Sequence, residues 1–349
     1  MANENILMDP VHPDAAIAFA REVPDQAQNV LNQYLPDKTI QDTRVEVTEV
    51  EMTSHVAEYR SFDGSIPRLK RDGYRVSQVS LQPLSQRGGY GEYERLQLEK
   101  LRQNGGSEAA LADAIYNDIE RSVKYIRNRV EIARGQLLST GQQVINENGV
   151  NLSADYGVPD EHFVSPEVEW TDVDDAKPIE DLLKWVEVYA DSYGAVPAGM
   201  LMSRKTKGLL RASAEIRNFA NMNVVGGPRF VNDAVVASAL DNFDLPGILP
   251  TYDQKIAGNR VIPEGKIIFL PPNPADLGNT YWGITATAME LLNAAQTDLS
   301  FADAPGLVGI VTKTGPPFLQ EVIVDSLVLP VLNNPKALFV ADISVGTAS

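Results

Sequence analysis

The 349-residue chain has no cysteine and only three histidines, His12, His55 and His162. The first absence removes disulfides, thiolate metal sites and cysteine nucleophiles. The second leaves little for histidine chemistry. Each histidine sits in a different irregular segment without H-E-x-x-H or similar spacing, so all three are expected to be surface or packing residues. Long apolar runs are missing too. No stretch approaches the roughly 18 uninterrupted apolar residues of a membrane span. Met1–Pro10 shows no basic stretch followed by an apolar core, so no secretory signal is visible. Basic charge is scarce, with 30 Lys and Arg against 47 Asp and Glu and a net charge of −17. That balance argues against a dedicated nucleic-acid binder, which needs a basic face.

What is present is a globular composition, 44% hydrophobic and 22% charged, with length enough for one large domain or two ordinary ones. The charge is unevenly placed. Residues 1–59 hold 3 basic and 11 acidic side chains, whereas residues 60–103 hold 9 and 5. Residues 104–141 balance at 5 and 5, and residues 142–349 hold 13 and 26. One basic segment in an acidic molecule suits a segment that lies on another copy of the same chain.

Pro10, Pro13, Pro24 and Pro36 cut the first 45 residues into pieces too small for a core. Short helices are expected at Asp14–Arg21 and Asp25–Tyr34, and a strand at Thr43–Met52. Strands are expected at Tyr74–Leu81 and Tyr93–Leu98 around a flexible tip at Pro83–Gly91; so polar a hairpin needs a partner to be stable. After Asn104–Ser107, Leu111, Ile115, Ile119, Val123, Ile126, Val130, Ala133 and Leu137 recur at spacings of three and four. Glu108–Thr140 therefore reads as a rod roughly 50 Å long, stopped by Gly141. A coiled coil or a large-domain core helix would give the same stripe. Asn148-Gly149 between extended runs predicts a hairpin with a type I′ turn.

From Pro178 helices and strands alternate. Helices are expected at Ile179–Ser192, Thr206–Phe219 and Asn232–Asn242. Strands are expected at Ala198–Ser203, Ile248–Tyr252, Lys266–Leu270, Tyr281–Thr287, Val308–Thr314, Leu319–Leu329 and Ala337–Ser344. The fold class is α+β.

The search for chemistry returns no catalytic, cofactor-binding or metal-binding residues, so the chain is expected not to be an enzyme and to need no cofactor. Gly258 to Gly265-Lys266 is too long for a phosphate loop, with Ile267 where Ser or Thr should hold magnesium. Arg87–Tyr93 has too few arginines for an RNA-binding tract and lacks the strand–helix setting of a dinucleotide loop. Asp172, Asp174 and Asp175 fit a solvated loop ending in a helix cap better than a cation site.

The order of elements resembles the major capsid protein of phage lambda and its relatives, the capsid protein E family of Hong Kong 97-type shells. Arg129–Gly141 looks like the end of that family's spine helix. The hairpin through Asn148-Gly149 and Asp155-Tyr-Gly157 is similar to its first peripheral strands. Trp170-Thr-Asp172 with Pro178–Leu182 resembles the entry to its axial domain, and Val261–Leu270 a late axial strand. Thr314–Phe318, Val328–Val331, Asn334-Pro335 and Ala341–Ile343 look like its closing strands.

The resemblance implies five parts: residues 1–54, an N-terminal arm and first strand; 55–103, an extended loop; 104–177, a peripheral domain with spine helix 108–140 and β-hairpin; 178–305, an axial domain; and 306–349, C-terminal strands returning to the peripheral domain. It implies a homo-oligomer of pentamers and hexamers forming an icosahedral virion shell around double-stranded DNA, touched only non-specifically, and assembled in the host cytoplasm without a membrane. Arg68, Lys70, Arg71, Arg75, Arg87 and Tyr90 would be the inter-subunit contacts. A separate scaffolding protein, a portal and a decoration protein are the implied partners, and Lys70 is placed for a Lys–Asn cross-link. An encapsulin-like nanocompartment shell keeps the fold and changes the use; a soluble α+β enzyme is the reading from a different class.

Overall fold

The structure, a computed structural model, describes residues 5–6, 11–50, 74–91, 93, 96–97, 100, 108–221, 231–293, 297–314 and 319–344. The chain begins with β1 (Asn5–Ile6), α1 (Pro13–Glu22), β2 (Asp37–Thr39), β3 (Arg44–Val50), β4 (Tyr74–Ser80) and β5 (Gln82–Tyr90). Then come α2 (Glu108–Thr140), β6 (Gln142–Glu147), β7 (Val150–Asp155) and β8 (Phe163–Val164). A mixed section follows: α3 (Pro178–Tyr193), β9 (Gly199–Met202), α4 (Arg204–Ala212), α5 (Ala214–Asn221), α6 (Asp233–Asn242), β10 (Gly247–Ile248), β11 (Lys255–Ile256), β12 (Asn259–Arg260) and β13 (Lys266–Leu270). The last elements are α7 (Pro274–Leu277), β14 (Gly278–Gly283), α8 (Ala286–Leu292), β15 (Val308–Thr314), β16 (Leu319–Leu332) and β17 (Phe339–Asp342).

The long helix takes the bounds its stripe predicts. Ile115, Ile119, Val123, Ile126, Val130 and Leu137 are all buried, each such side chain worth about 1.5–3 kcal/mol at most. The first five pack with Ala16 and Ala20 of α1 and with Val311, Val322, Val324 and Val328 of a six-stranded sheet, and Leu137 packs with Leu31 and Leu35 in the main core. Gly141 N–H closes the helix on Leu137 O at 2.8 Å. The next turn is of type I′, with positive φ at Asn148 (48°) and Gly149 (83°) and Glu147 paired to Val150.

Strand β16 is the spine of the first sheet, which runs β1-β15-β16-β14-β2 with β5 on the opposite edge of β16. Its residues alternate buried and half-buried as far as Leu327, then are buried without a break to Leu332. That change marks where the strand passes from a sheet covered on one face to one covered on both. The second sheet runs β10-β9-β13-β17-β8. Its core holds Phe269 stacked on Phe339 (5.0 Å between centroids) and Trp170 stacked on Trp185 (6.0 Å). Trp170 Nε1 donates to Asp181 Oδ2 at 3.0 Å, tying the entry of this unit to the first turn of α3.

Several expectations are corrected. Pro83–Gly91 is no tip: nine of its neighbourhood's residues form β5, paired from Gln82↔Val328 to Tyr90↔Gln320. A polar, glycine-containing stretch makes a strand here because a long partner supplies the backbone bonds, and its proline sits on an edge strand, where it is tolerated. Tyr93, Leu96 and Gln97 are helical, not extended. In Asp25–Tyr34 only Leu31–Gln33 is helical, as a 3₁₀ turn; Asn29 Nδ2 bonds Asp25 Oδ1 at 3.2 Å, a local bond that competes with helix. Thr206–Phe219 splits at Ser213, whose hydroxyl donates to Leu210 O and accepts from Ile216 N–H. The strand expected at Tyr281–Thr287 ends at Gly283, because Thr285 caps α8 by accepting from Ala288 N–H at 3.0 Å. Of Ile248–Tyr252, only Ile248 lies in a strand.

Two late strands lie on different sheets. β14 lies on the first sheet with β16. β17 does not stay there: it inserts between β13 and β8 in the second sheet, where Phe339 meets Phe269.

Candidate assembly surfaces

Strands β3 and β4 pair from Arg44↔Ser80 to Val50↔Tyr74 and form a two-stranded sheet of their own. Seven residues of strand span about 23 Å. At the base, Val45 is buried opposite Val79 and packs, with Leu81, into the main core. Further out, Gln78 Nε2 donates to Glu46 Oε1 at 3.1 Å, an exposed contact of small worth. An isolated ribbon of this kind is marginal in water. Its base is anchored in its own chain, and the length beyond the base has no third strand among the described residues.

The six contact candidates do not gather at one site. Arg68, Lys70 and Arg71 lie outside the described residues. Arg75 stands on β4 opposite Glu49 of β3. Arg87 and Tyr90 stand on β5, in the six-stranded sheet, and the Arg87 guanidinium is paired with Glu321 of β16. Arg87 is thus already engaged within its own chain, a partner invisible to a reading of the loop alone.

His12, His162 and the acidic cluster take structural places. His12 caps α1, its Nδ1 accepting from Asp14 N–H at 3.3 Å. His162 is buried, Nδ1 bonded to Leu338 O at 2.7 Å and ring packed on Phe339 and Tyr189. Burial holds its imidazole below the ordinary histidine value, against the pull of the Leu338 carbonyl. His55 lies outside the described residues. Asp174 pairs with Arg217, and Asp172 accepts from Asp175 N–H at 3.4 Å. Among the described residues no three metal-ligating side chains gather, and no helix is long and apolar enough to cross a membrane. Lys266 of the glycine-flanked loop pairs with Asp342 at 2.9 Å on the neighbouring strand.

Sequence reasoning missed the most connected polar group. Glu131, fully buried on α2, accepts from Leu31 N–H at 3.0 Å and from the Tyr252 hydroxyl at 2.9 Å. Arg134, one turn on, donates from Nη1 to Glu131 Oε2 (3.4 Å), from Nη2 to Asp37 Oδ1 (2.5 Å) and from Nε to Thr280 Oγ1 (2.9 Å). The Thr280 hydroxyl donates in turn to Leu35 O at 2.9 Å. Gln254, beside Tyr252, donates to Asn29 Oδ1 at 2.6 Å. The cluster therefore ties the N-terminal segment, the long helix, the first sheet and the loop before β11 into one body. Burial pushes the Glu131 carboxyl above the usual carboxylate range, and its N–H donor, the Arg134 charge and Tyr252 pull it part of the way back. The only signal available beforehand was two charged residues, Glu131 and Arg134, three apart on a largely apolar helix.

A sequence model described as phage major capsid protein E matches residues 16–343. No curated protein sequence matches the chain. Among solved structures, a phage-related protein from Bordetella bronchiseptica is similar at TM-score 0.50 and 12% identity, over 95% of this chain and 97% of that one. The capsid of Myoviridae phage XM1 is similar at TM-score 0.46 and 11% identity, over 92% and 94%. The SrpI encapsulin of Synechococcus elongatus is similar at 0.48 and 13%, over 93% and 92%. At such identities the likeness speaks to the fold alone, an α+β chain of the Hong Kong 97 type.

Proposed function

The chain belongs to the phage major capsid protein E family and is a structural protein of a phage capsid, built from many copies; from that membership we propose how its parts are used. Copies assemble into pentamers and hexamers that close an icosahedral head around double-stranded DNA. The six-stranded sheet with α2 and the β6/β7 hairpin is the peripheral part. The five-stranded sheet with α3 to α6 is the axial part, ringing the capsomer axes.

One observation carries the assignment of the connecting element: β3 and β4 form a ribbon that no third strand of their own chain completes among the described residues. On this reading the ribbon and the segment it encloses, with Arg68, Lys70, Arg71 and Arg75, lie across an acidic neighbouring copy, while Arg87 and Tyr90 present the adjoining sheet edge. Each exposed ion pair contributes about 0–1 kcal/mol, so strength comes from repetition around the shell together with apolar burial. The N-terminal segment, residues 1–54, which adds β1 to the edge of its own sheet, serves as the arm that presents that edge to a neighbour. A separate scaffolding protein shapes the shell, a portal occupies one vertex, and a decoration protein or a Lys70 cross-link reinforces it. Assembly takes place in the host cytoplasm. A net charge of −17 keeps the lining from gripping DNA, which it touches only non-specifically.

Electron microscopy of the purified chain, expressed alone and with the genes beside it, tests this reading. Closed shells, tubes, or rings of five and six are expected. A small oligomer that never assembles, even with those partners, would overturn it. A shell filled with a co-expressed enzyme in place of DNA would assign the fold to a nanocompartment.

A further inference from the structure

A cavity of about 310 Å³ opens between α1, α2 and the loop that precedes β15. It far exceeds the roughly 10–15 Å³ that admits one water. Three guanidinium groups line it, Arg21, Arg127 and Arg134, against two carboxylates, Asp25 and Asp37, with Trp282 as an apolar wall.

The charges are unevenly matched. Arg134, with 3% of its side chain exposed, takes Asp37 at 2.5 Å. Arg127 stands 4.0 Å from Asp25, and Asp25 Oδ1 already accepts from Asn29 Nδ2 at 3.2 Å. Arg21 donates Nε to Leu307 O (3.0 Å) and Nη2 to Pro305 O (3.3 Å), which are neutral acceptors. Asp303 acts on Arg21 electrostatically and is not among the residues lining the cavity; burial outweighs it and lowers the Arg21 pKa. Arg21 therefore faces the cavity with neutral partners only, and Arg127 with one long ion pair to an Asp25 that Asn29 also engages, in a protein whose overall charge is −17. Two guanidinium side chains lining one partly desolvated space suit an anion with several oxygens, with N–H groups left on Arg21 Nη1 and on Arg127 to meet it.

We propose that this cavity is an oxyanion site that takes inorganic phosphate, held by Arg127 and Arg21 with Arg134 behind them. The bound ion would cross-brace α1 and α2, and so fix the N-terminal segment on the long helix. Asp25 is its built-in competitor.

The test is calorimetric titration of the purified full chain with inorganic phosphate, with sodium chloride at matched ionic strength as the control. Saturable binding of one phosphate per chain is expected. Arg127→Gln should weaken it at least tenfold, and Asp25→Asn should tighten it several-fold. The second variant matters because damage to the fold would weaken binding, never tighten it. Absence of saturable heat in the parent chain, or equal affinity in the parent and Arg127→Gln, would overturn the proposal, as would weaker binding in a folded Asp25→Asn.

Discussion

Replacing Glu131 with alanine is the sharpest test of how the chain is held together. The substitution strips an acceptor from Leu31 N–H and Tyr252 O–H and a counter-charge from Arg134, all inside the protein. Removing one member of a buried ion pair costs about 3–5 kcal/mol, and a donor left unsatisfied about 1–3 kcal/mol. These costs overlap, Arg134 keeps Asp37 and Thr280, and the ionised carboxylate was itself expensive to bury, so the lower end applies. Glu131→Ala should lose about 3 kcal/mol, roughly a hundredfold in the folded-to-unfolded ratio. Glu131→Gln keeps an oxygen for Leu31 and loses only the charge, so about 1–2 kcal/mol is expected. Urea unfolding of the unassembled chain at neutral pH, followed by far-UV circular dichroism, measures both. The pH dependence has a definite sign. Because burial raises the native carboxyl above its unfolded value, the folded state holds the extra proton between those two values, and stability rises as pH falls through that window. The glutamine variant lacks this gain, so its deficit should widen on acidification. An alanine variant within about 0.5 kcal/mol of the parent, or a deficit that narrows, would refute the account.

Other outcomes follow from named contacts. A Cβ on Gly135 would stand 2.5 Å from the Val261 carbonyl oxygen; overpacking of about 1–3 kcal/mol outweighs the roughly 1 kcal/mol of helix propensity gained, so Gly135→Ala should lower the melting temperature. Gly149→Ala forces a side chain to φ 83° in the β6/β7 turn and should cost about 1–2 kcal/mol in the same assay; an unchanged midpoint would mean the turn relaxes. His162 titrates in the opposite sense to Glu131: its lowered native value means the unfolded chain takes the proton first, so stability falls as pH drops below the ordinary histidine value. His162→Phe should pay for the lost Leu338 bond at neutral pH with about 1 kcal/mol yet flatten that acid slope in melting curves.

The elements that could be read directly share a local cause. The stripe from Ile115 to Leu137 and the stop at Gly141 set the bounds of the long helix, because helical bonds join residues four apart. Asn148-Gly149 set the hairpin by backbone sterics alone, and the apolar run Lys266–Leu270 set a buried strand. The basic segment at 60–103 suggested a surface that lies on another copy of the chain. What only the tertiary structure decided depended on partners far away in the chain. Gln82–Tyr90 is a strand because residues 320–328 lie beside it. Arg87 is paired because Glu321 arrives on that strand, and β17 joins the second sheet because Phe339 finds Phe269 there. Glu131 and Arg134 were two more charges on a helix until Leu31, Asp37, Tyr252 and Thr280 closed around them. Local propensity and periodicity are written residue by residue, but burial and ion pairing exist only once distant segments share a place, and that sharing is the work of the fold.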